Sequence, residues 1–298
     1  METSLPQTSS FRVTGATAGL RLDQAVAQAL PGVSRETAKK LIAIGAVWVN
    51  KQRVKILSTR VHEGDIVTVH IGKHGWRKRY ELDPTNILYE DPWLLFYCKE
   101  PGIPSQGIVC DDYNNVAAAV LRYRKQKTSQ PYVGLLHRLD LDTSGVMLFT
   151  LSPEVNRHIH RQFQNHRVGK TYLALVHGNP EFQHTQIVSY ISRRDGRYRC
   201  SATEPGKPAL TAFTKLSDFE GYALVRAEPQ TGRTHQIRLQ LSFLGFPVLG
   251  DPLYGTDPAG AYPRTMLHAE SLTIEHPVTG QVVRVTAGLF EDMEKLLR

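Results

Sequence analysis

The stretch HRLDLDTSG, residues 137–145, runs directly into the apolar segment VMLFTL, residues 146–151, and everything else in the chain is read outward from it. Asp140 and Asp142 stand two apart, and Thr143, Ser144 and Gly145 form a tight polar turn ahead of a strand. Such a turn offers backbone N–H groups and hydroxyls that hold a carboxylate ionised. Arg138 can shield that charge or reach a phosphate. An ionised aspartate there is a candidate nucleophile or general base. The same residues could equally make an Asx turn into the strand, with Arg138 paired on the surface. A two-carboxylate hydrolase fits poorly, because side chains at i and i+2 leave no room for a water across a sugar.

Two further segments carry polar residues in dense array. TGRTHQIR, residues 231–238, precedes GDPLYG, residues 250–255. Arg233, His235 and Arg238 concentrate positive charge at a helix start, a natural anion or phosphate site. His235 and Gln236 have no His or carboxylate at i+4, and the HIH of residues 158–160 straddles a helix stripe, so a metal site is rejected. In GKTYLALVHG, residues 169–178, Tyr172 opens an otherwise aliphatic strand. It packs in the core, or its ring lines a basic cleft and stacks on a base.

Around these segments, WLLFYCK, GVMLFTL, KTYLALVHG, ALTAFTKL, YALVRAEP and VVRVTA are runs of strand length. Ser152-Pro153-Glu154 opens a helix with an apolar stripe of Val155, Ile159 and Phe163. Arg157, His158, Arg161, His166 and Arg167 make its other surfaces basic. A second helix carries Ile237, Leu241 and Leu244 inward and stops at Gly245. Helices interspersed with a mainly antiparallel sheet predict an α+β domain over residues 85–298. Upstream, residues 1–18 read as a loose polar tail. RLDQAVAQAL puts Leu22, Ala25, Val26, Ala29 and Leu30 on one helical face. Ser34 caps a second helix ending at Gly45, and AVWVN and IVTVHI are strands. Residues 19–72 thus form a small α/β module, with Arg35, Lys39, Lys40, Lys51, Arg53 and Lys55 giving it a basic surface. A basic linker, residues 73–84, follows, with Lys73, Arg77, Lys78 and Arg79.

The 298 residues suit two domains; 41% are hydrophobic and 21% charged, which excludes a disordered or fibrous chain. Lys and Arg total 36 against 28 Asp and Glu, a net charge of +8 that favours a polyanionic partner, nucleic acid first. Cys98, Cys110 and Cys200 are an odd number without C-x-x-C spacing, so no disulfide framework is expected. No apolar run approaches the length of a membrane span, nor does the start read as a secretory signal. A cytoplasmic protein that binds no membrane is expected.

In their order, HRLDLDTSG, GKTYLALVHG, TGRTHQIRLQLSFLGFPVLGDPLYG and LHAESLTIEHPVTG closely resemble the pseudouridine synthases of the RluA family, over roughly residues 85–288. RLDQAVAQALPGVSRETAKKLIAIGAVWVN resembles the S4-like RNA-binding module that precedes many of their catalytic domains. The resemblance implies the pseudouridine synthase fold and isomerisation of uridine to pseudouridine in RNA, with no cofactor and no metal. It implies Asp140 as nucleophile, Tyr172 against the target base, and Arg238 paired with Asp140 to keep it ionised. It also implies that Arg138 helps fill the gap left by the flipped nucleotide. Thr143, Arg233 and His235, with Lys39 and Lys40 of the upstream module, are expected to contact RNA. Ribosomal RNA is the favoured partner and transfer RNA the second, by analogy of domain layout, and the chain is expected to be a monomer. The alternative is a non-catalytic RNA-binding ribosome-assembly factor on the same fold. Lys99, Pro101 and Gly102 keep family-like positions, whereas CDDYNN, residues 110–115, replaces the usual glycine-rich approach to the next helix.

Overall fold

A computed structural model describes residues 7–72 and 79–298, and the chain divides into two compact units. The smaller contains β1 (Gln7–Arg12), α1 (Leu22–Ala29), α2 (Arg35–Ala43), β2 (Val47–Val49), β3 (Gln52–Val54), β4 (Ile66–Ile71) and α3 (Val116–Lys127). Its sheet has the order β1-β4-β2-β3. The two amphipathic helices bury Leu22, Ala25, Val26, Ala38, Leu41 and Ile42 against Val47, Val67 and Val69. Each such aliphatic side chain contributes about 1.5–3 kcal/mol relative to an exposed one. Ser34 Oγ accepts the Thr37 N–H at 3.1 Å, the expected N-cap. Ala29 and Leu30 sit at the half-buried margin of the helical face.

One expectation about this unit is corrected. Within the expected loose tail, residues 7–12 form β1, in continuous register with β4 from Gln7↔Ile71 to Arg12↔Ile66. Phe11 and Val13 point inward in a period-2 alternation that the Ser and Thr residues disguise. Within the stretch expected to form the second domain, Gln106–Lys127 packs with the smaller unit. The CDDYNN segment supplies the reason. Asp112 pairs with Lys55 and donates its N–H to the Ile44 carbonyl at 2.7 Å. Arg53 and Trp48 donate to the carbonyls of Ile108 and Val109. Of the expected basic linker, Lys73, Arg77 and Lys78 lie outside the described residues. Arg79 lies over the Tyr113 ring at 4.8 Å, and Glu81 pairs with Arg122.

The larger unit contains β5 (Ile87–Glu90), β6 (Leu94–Lys99), β7 (Gly134–Leu135), β8 (Ser144–Thr150), α4 (Pro153–Gln164), β9 (Gly169–His177), β10 (His184–Arg194), β11 (Arg197–Ser201), β12 (Lys207–Phe219), β13 (Tyr222–Pro229), α5 (Gln236–Phe243), β14 (Leu267–Glu275), β15 (Val282–Thr286) and α6 (Glu291–Glu294). Its sheet runs β11-β10-β12-β13-β9-β14-β8-β6-β5, with β15 on β14 and β7 on β8. Every pairing is antiparallel except β14 with β8, so the mixed α+β expectation holds. Ser152 caps α4 through the Glu154 N–H. The helix buries Val155 and Ile159, and Gln162 clamps it to both backbone groups of Glu275. Among the described residues no helix is long and apolar enough to cross a membrane.

Candidate active site

The segment before β8 is irregular, so its backbone groups need partners from elsewhere. Ser105 Oγ donates to the Leu139 carbonyl at 2.6 Å and accepts the Leu139 N–H at 3.0 Å. The Leu141 carbonyl takes Gly102 N–H at 3.0 Å and Lys99 Nζ at 2.9 Å. Lys99 spends its other two protons on the carbonyls of Glu100 and Ile103, both at 2.8 Å. Burial pushes the Lys99 pKa down to about 7. The Asp142 carbonyl accepts Arg264 Nη1 at 3.2 Å, and Arg264 is forked onto Asp292 of α6. Thr143 N–H closes the turn on the Asp140 carbonyl at 3.2 Å. The carbonyls of residues 139–142 are therefore all engaged, which fixes the course of the loop.

Both ends of this loop are fixed as well. His137 Nε2 accepts the Leu148 N–H at 2.8 Å and its ring stacks on Phe163. Burial lowers the His137 pKa to about 4, so it stays a neutral acceptor. At the other end the two-residue parallel ladder pairs Ser144 with His268 and Gly145 with Ala269. Ser144 Oγ meets His268 Nδ1 at 2.9 Å. Gly145 has φ +109°, and a Cβ there would lie 2.2 Å from the Ala269 carbonyl oxygen, so only glycine fits. Ala269 also lies opposite Tyr172 of β9, which puts Tyr172 and the loop exit in one row across the sheet.

This frame holds Asp140 against α5. Arg238 donates from Nη1 to Asp140 Oδ2 at 2.9 Å, and from Nε and Nη2 to the two oxygens of Asp251 at 2.7 Å each. The side chains of Asp251, Arg238 and Asp140 are 0%, 8% and 29% exposed, so the charge emerges only at Asp140. Burial works against the Arg238 charge, but the two carboxylates outweigh it and its pKa rises above the ordinary arginine value. Asp251 is likewise pushed up by burial and brought below the usual carboxylate range by Arg238 and the N–H groups of Leu253 and Tyr254. One cation between two carboxylates leaves a formal surplus of one negative charge.

Two aromatic groups and a histidine complete the surroundings. His235, at φ +56° just before α5, brings Nε2 to 3.9 Å from Asp140 Oδ1 and shares a 2.8 Å hydrogen bond with the Tyr254 hydroxyl. Burial lowers its pKa, with the Asp140 charge opposing. Burial raises the Tyr254 pKa to about 12. It raises that of Tyr172 too, with help from Asp140, so both phenols stay protonated at neutral pH.

The expected residues divide accordingly. Asp140, Arg238 and His235 meet directly, and Tyr172 lies within the electrostatic reach of Asp140. Arg138 is exposed beside them. Thr143 is buried, 2% exposed, and serves the turn. Arg233 donates to the Pro208 carbonyl at 2.9 Å instead of approaching Asp140. Lys39 and Lys40 lie on α2 of the other unit, Lys39 beside Glu36 at 3.5 Å. The expected anion site at the start of α5 is corrected in part, because the Arg238 charge is already met by carboxylates. Asp251, Lys99, Arg264 and His268 escaped sequence reasoning as parts of this frame. α5 buries all of residues 236–241, polar Gln236, Arg238 and Gln240 included, and a buried arginine demands a carboxylate, the role Asp251 fills. Among the described residues no group of three or more His, Cys, Asp or Glu could hold a metal ion.

The larger unit is thus a mainly antiparallel sheet with flanking helices that presents one carboxylate from a buried Asp–Arg–Asp chain. The chain belongs to the RNA pseudouridylate synthase family, which residues 94–243 match, half of its length. Residues 20–67 match the S4 domain. The chain is 34% identical to the ribosomal large subunit pseudouridine synthase D of Nitrosomonas europaea, over 94% of this chain and 84% of that one. It is 29% identical to the ribosomal large subunit pseudouridine synthase C of Escherichia coli, over 100% and 98%. The human RNA pseudouridylate synthase domain containing 4 shares the fold, with a TM-score of 0.60 and 23% identity over 72% of this chain and 92% of that one.

Proposed function

We propose that this chain isomerises uridine to pseudouridine in large-subunit ribosomal RNA, with Asp140 as the nucleophile and the S4 domain as an RNA-binding module. The observation that carries the reading is the Asp140–Arg238–Asp251 chain, in which two members are buried and the third is presented with one oxygen not engaged by Arg238. In the isomerisation the N1–C1′ bond breaks, the uracil turns, and a C5–C1′ bond forms. C5 loses its proton and N1 gains one, so nothing is consumed. Asp140 acts on the flipped-out nucleotide from a fixed position, and Tyr172 lies against the base as a neutral phenol. Extruding a nucleotide from a helix costs a few kcal/mol, which exposed Arg138 offsets by occupying the vacated space. The two relatives named for the ribosomal large subunit, each covered over more than four-fifths of its length, support the choice of RNA.

Carbodiimide primer-extension mapping on unmodified transcribed ribosomal and transfer RNAs tests this. Wild type should create a stop in large-subunit RNA that Asp140→Asn does not. Stops confined to transfer RNA would move the substrate, and no stop on any RNA or assembling ribosomal particle would remove the activity.

A further inference from the structure

The β10–β11 hairpin carries Arg193, Arg194, Arg197 and Arg199, all exposed, around the turn Asp195–Gly196. Both turn residues have positive φ, 52° and 76°, the conformation that a tight two-residue hairpin requires and that an Asp-Gly pair accepts. The pairing runs without a break from Tyr190↔Ser201 to Arg194↔Arg197, so the arginines ride on a defined ladder.

The two faces of this hairpin differ. On the outer face Arg194 lies directly opposite Arg197, with Arg199 two pairs further along the ladder. Like charges opposite one another weaken a ladder. Among the described residues no carboxylate forms an ion pair with any of the four arginines. A local conflict left without compensation in the folded chain points to an external partner. On the inner face, shared with buried Ile191, Arg193 lies 5.8 Å over the ring of Tyr198. Tyr198 meets His235 edge-on at 5.6 Å, and His235 Nε2 is 3.9 Å from Asp140 Oδ1. One aromatic layer thus separates the arginine hairpin from the reactive carboxylate.

We propose that the β10–β11 hairpin is a phosphate-binding edge that grips the RNA strand flanking the nucleotide presented to Asp140, an inference that rests on the isomerase reading above. Guanidinium forks match phosphate oxygens bidentately, and a polyanion resolves the Arg194–Arg197 conflict that no described residue resolves. An acidic protein segment would satisfy the charges but not use the inner face, where Tyr198 and His235 offer rings on which bases stack.

The test is the salt dependence of binding to unmodified transcribed large-subunit ribosomal RNA. It compares wild type, a triple variant Arg194→Gln, Arg197→Gln, Arg199→Gln, the corresponding triple lysine variant, and a control with Arg284→Gln, Lys295→Gln and Arg298→Gln. Three lost phosphate contacts should lower the slope of log affinity against log salt by about 2–3, so that between about 50 and 200 mM salt the wild type loses about 15- to 65-fold more affinity than the glutamine variant. The lysine variant and the control should keep the wild-type slope. The glutamine variant should melt no lower than wild type, because a repulsion is removed. An unchanged slope in the glutamine variant, or an equal drop in the control, overturns the proposal. If wild type isomerises RNA while the slope does not move, the hairpin inference fails alone. If the slope falls but no RNA is isomerised by wild type, the isomerase reading fails and the phosphate edge stands.

Discussion

In the smaller unit a fully buried aspartate, Asp23, takes Arg21 at 2.9 Å and Arg35 at 3.0 Å, and those arginines keep 39% and 52% of their side-chain surface in solvent. In the larger unit one buried arginine, Arg238, is shared by Asp251 and Asp140. The residue types are the same and the stoichiometry is inverted. Two arginines on one aspartate leave a positive surplus facing water, which suits a surface that meets phosphates. Two aspartates on one arginine leave a negative surplus whose only outlet is Asp140, which suits a nucleophile. Burial opposes ionisation at Asp23 and Asp251 alike, and in both the guanidinium contacts win and hold the carboxyl below its usual range. The two clusters therefore differ in which member reaches solvent, arginines in one and Asp140 in the other.

The largest test of that contrast is Asp251→Asn. It leaves the Arg238 charge buried with only Asp140 as an ionised partner, and breaking a buried pair from one side costs about 3–5 kcal/mol. Urea unfolding should show the loss, and a change below about 1 kcal/mol would mean the clamp is not what holds α5.

Acid should separate the two units next. His268 is wholly buried, with Nε2 3.3 Å from the Ala287 carbonyl, and burial lowers its pKa to about 4. Above pH 6.5 it is neutral in both folded and unfolded chains. As pH falls from 6.5 towards 4 the unfolded chain takes up the proton first, so stability is lost across that window, on the order of 3 kcal/mol. Hydrogen exchange at neutral and acid pH should show β8 and β14 losing protection before β2 and β4. Loss in the reverse order would contradict the placement of the acid-sensitive group.

Smaller effects sharpen the picture. Tyr172→Ala should lower kcat/KM about 5- to 150-fold, the equivalent of about 1–3 kcal/mol of base stacking, whereas Tyr172→Phe keeps the ring and should stay near wild type. Equal losses in both variants would transfer the role from the ring to the hydroxyl. Asp23→Asn should cost only about 1 kcal/mol, because the stranded Arg21 and Arg35 already sit half in water. A cost matching that of Asp251→Asn would erase the distinction between the two clusters.

Local order was legible where periodicity and capping agree. The helices opened by Ser34 and Ser152 have the expected caps, and the apolar runs form the strands. The site was half legible. The resemblance paired Arg238 with Asp140, but Asp251, its stronger partner, sits in a loop whose sequence reads as turn chemistry. Lys99 ends an apolar strand, and nothing nearby announces that its ammonium will hold a carbonyl 42 residues away. β1 was hidden because Ser and Thr occupy both faces of a strand that depends on Phe11 and Val13. The interleaving of Gln106–Lys127 with the smaller unit rests on pairings such as Lys55 with Asp112, which lie far apart in sequence. It has a practical consequence: deleting residues 1–72 would strip partners from residues 106–127, so it cannot remove the S4 domain cleanly.

The central claim is that Asp140 is the reacting group and the rest of the cluster serves it. Its most direct test is single-turnover isomerisation by Asp140→Asn, with RNA affinity measured on the same preparation. The expected result is a rate lower by at least about 10⁴-fold with affinity unchanged, as for a lost nucleophile in a frame that still folds. Turnover near the wild-type rate in that variant would contradict the account, and would assign the chemistry to another group.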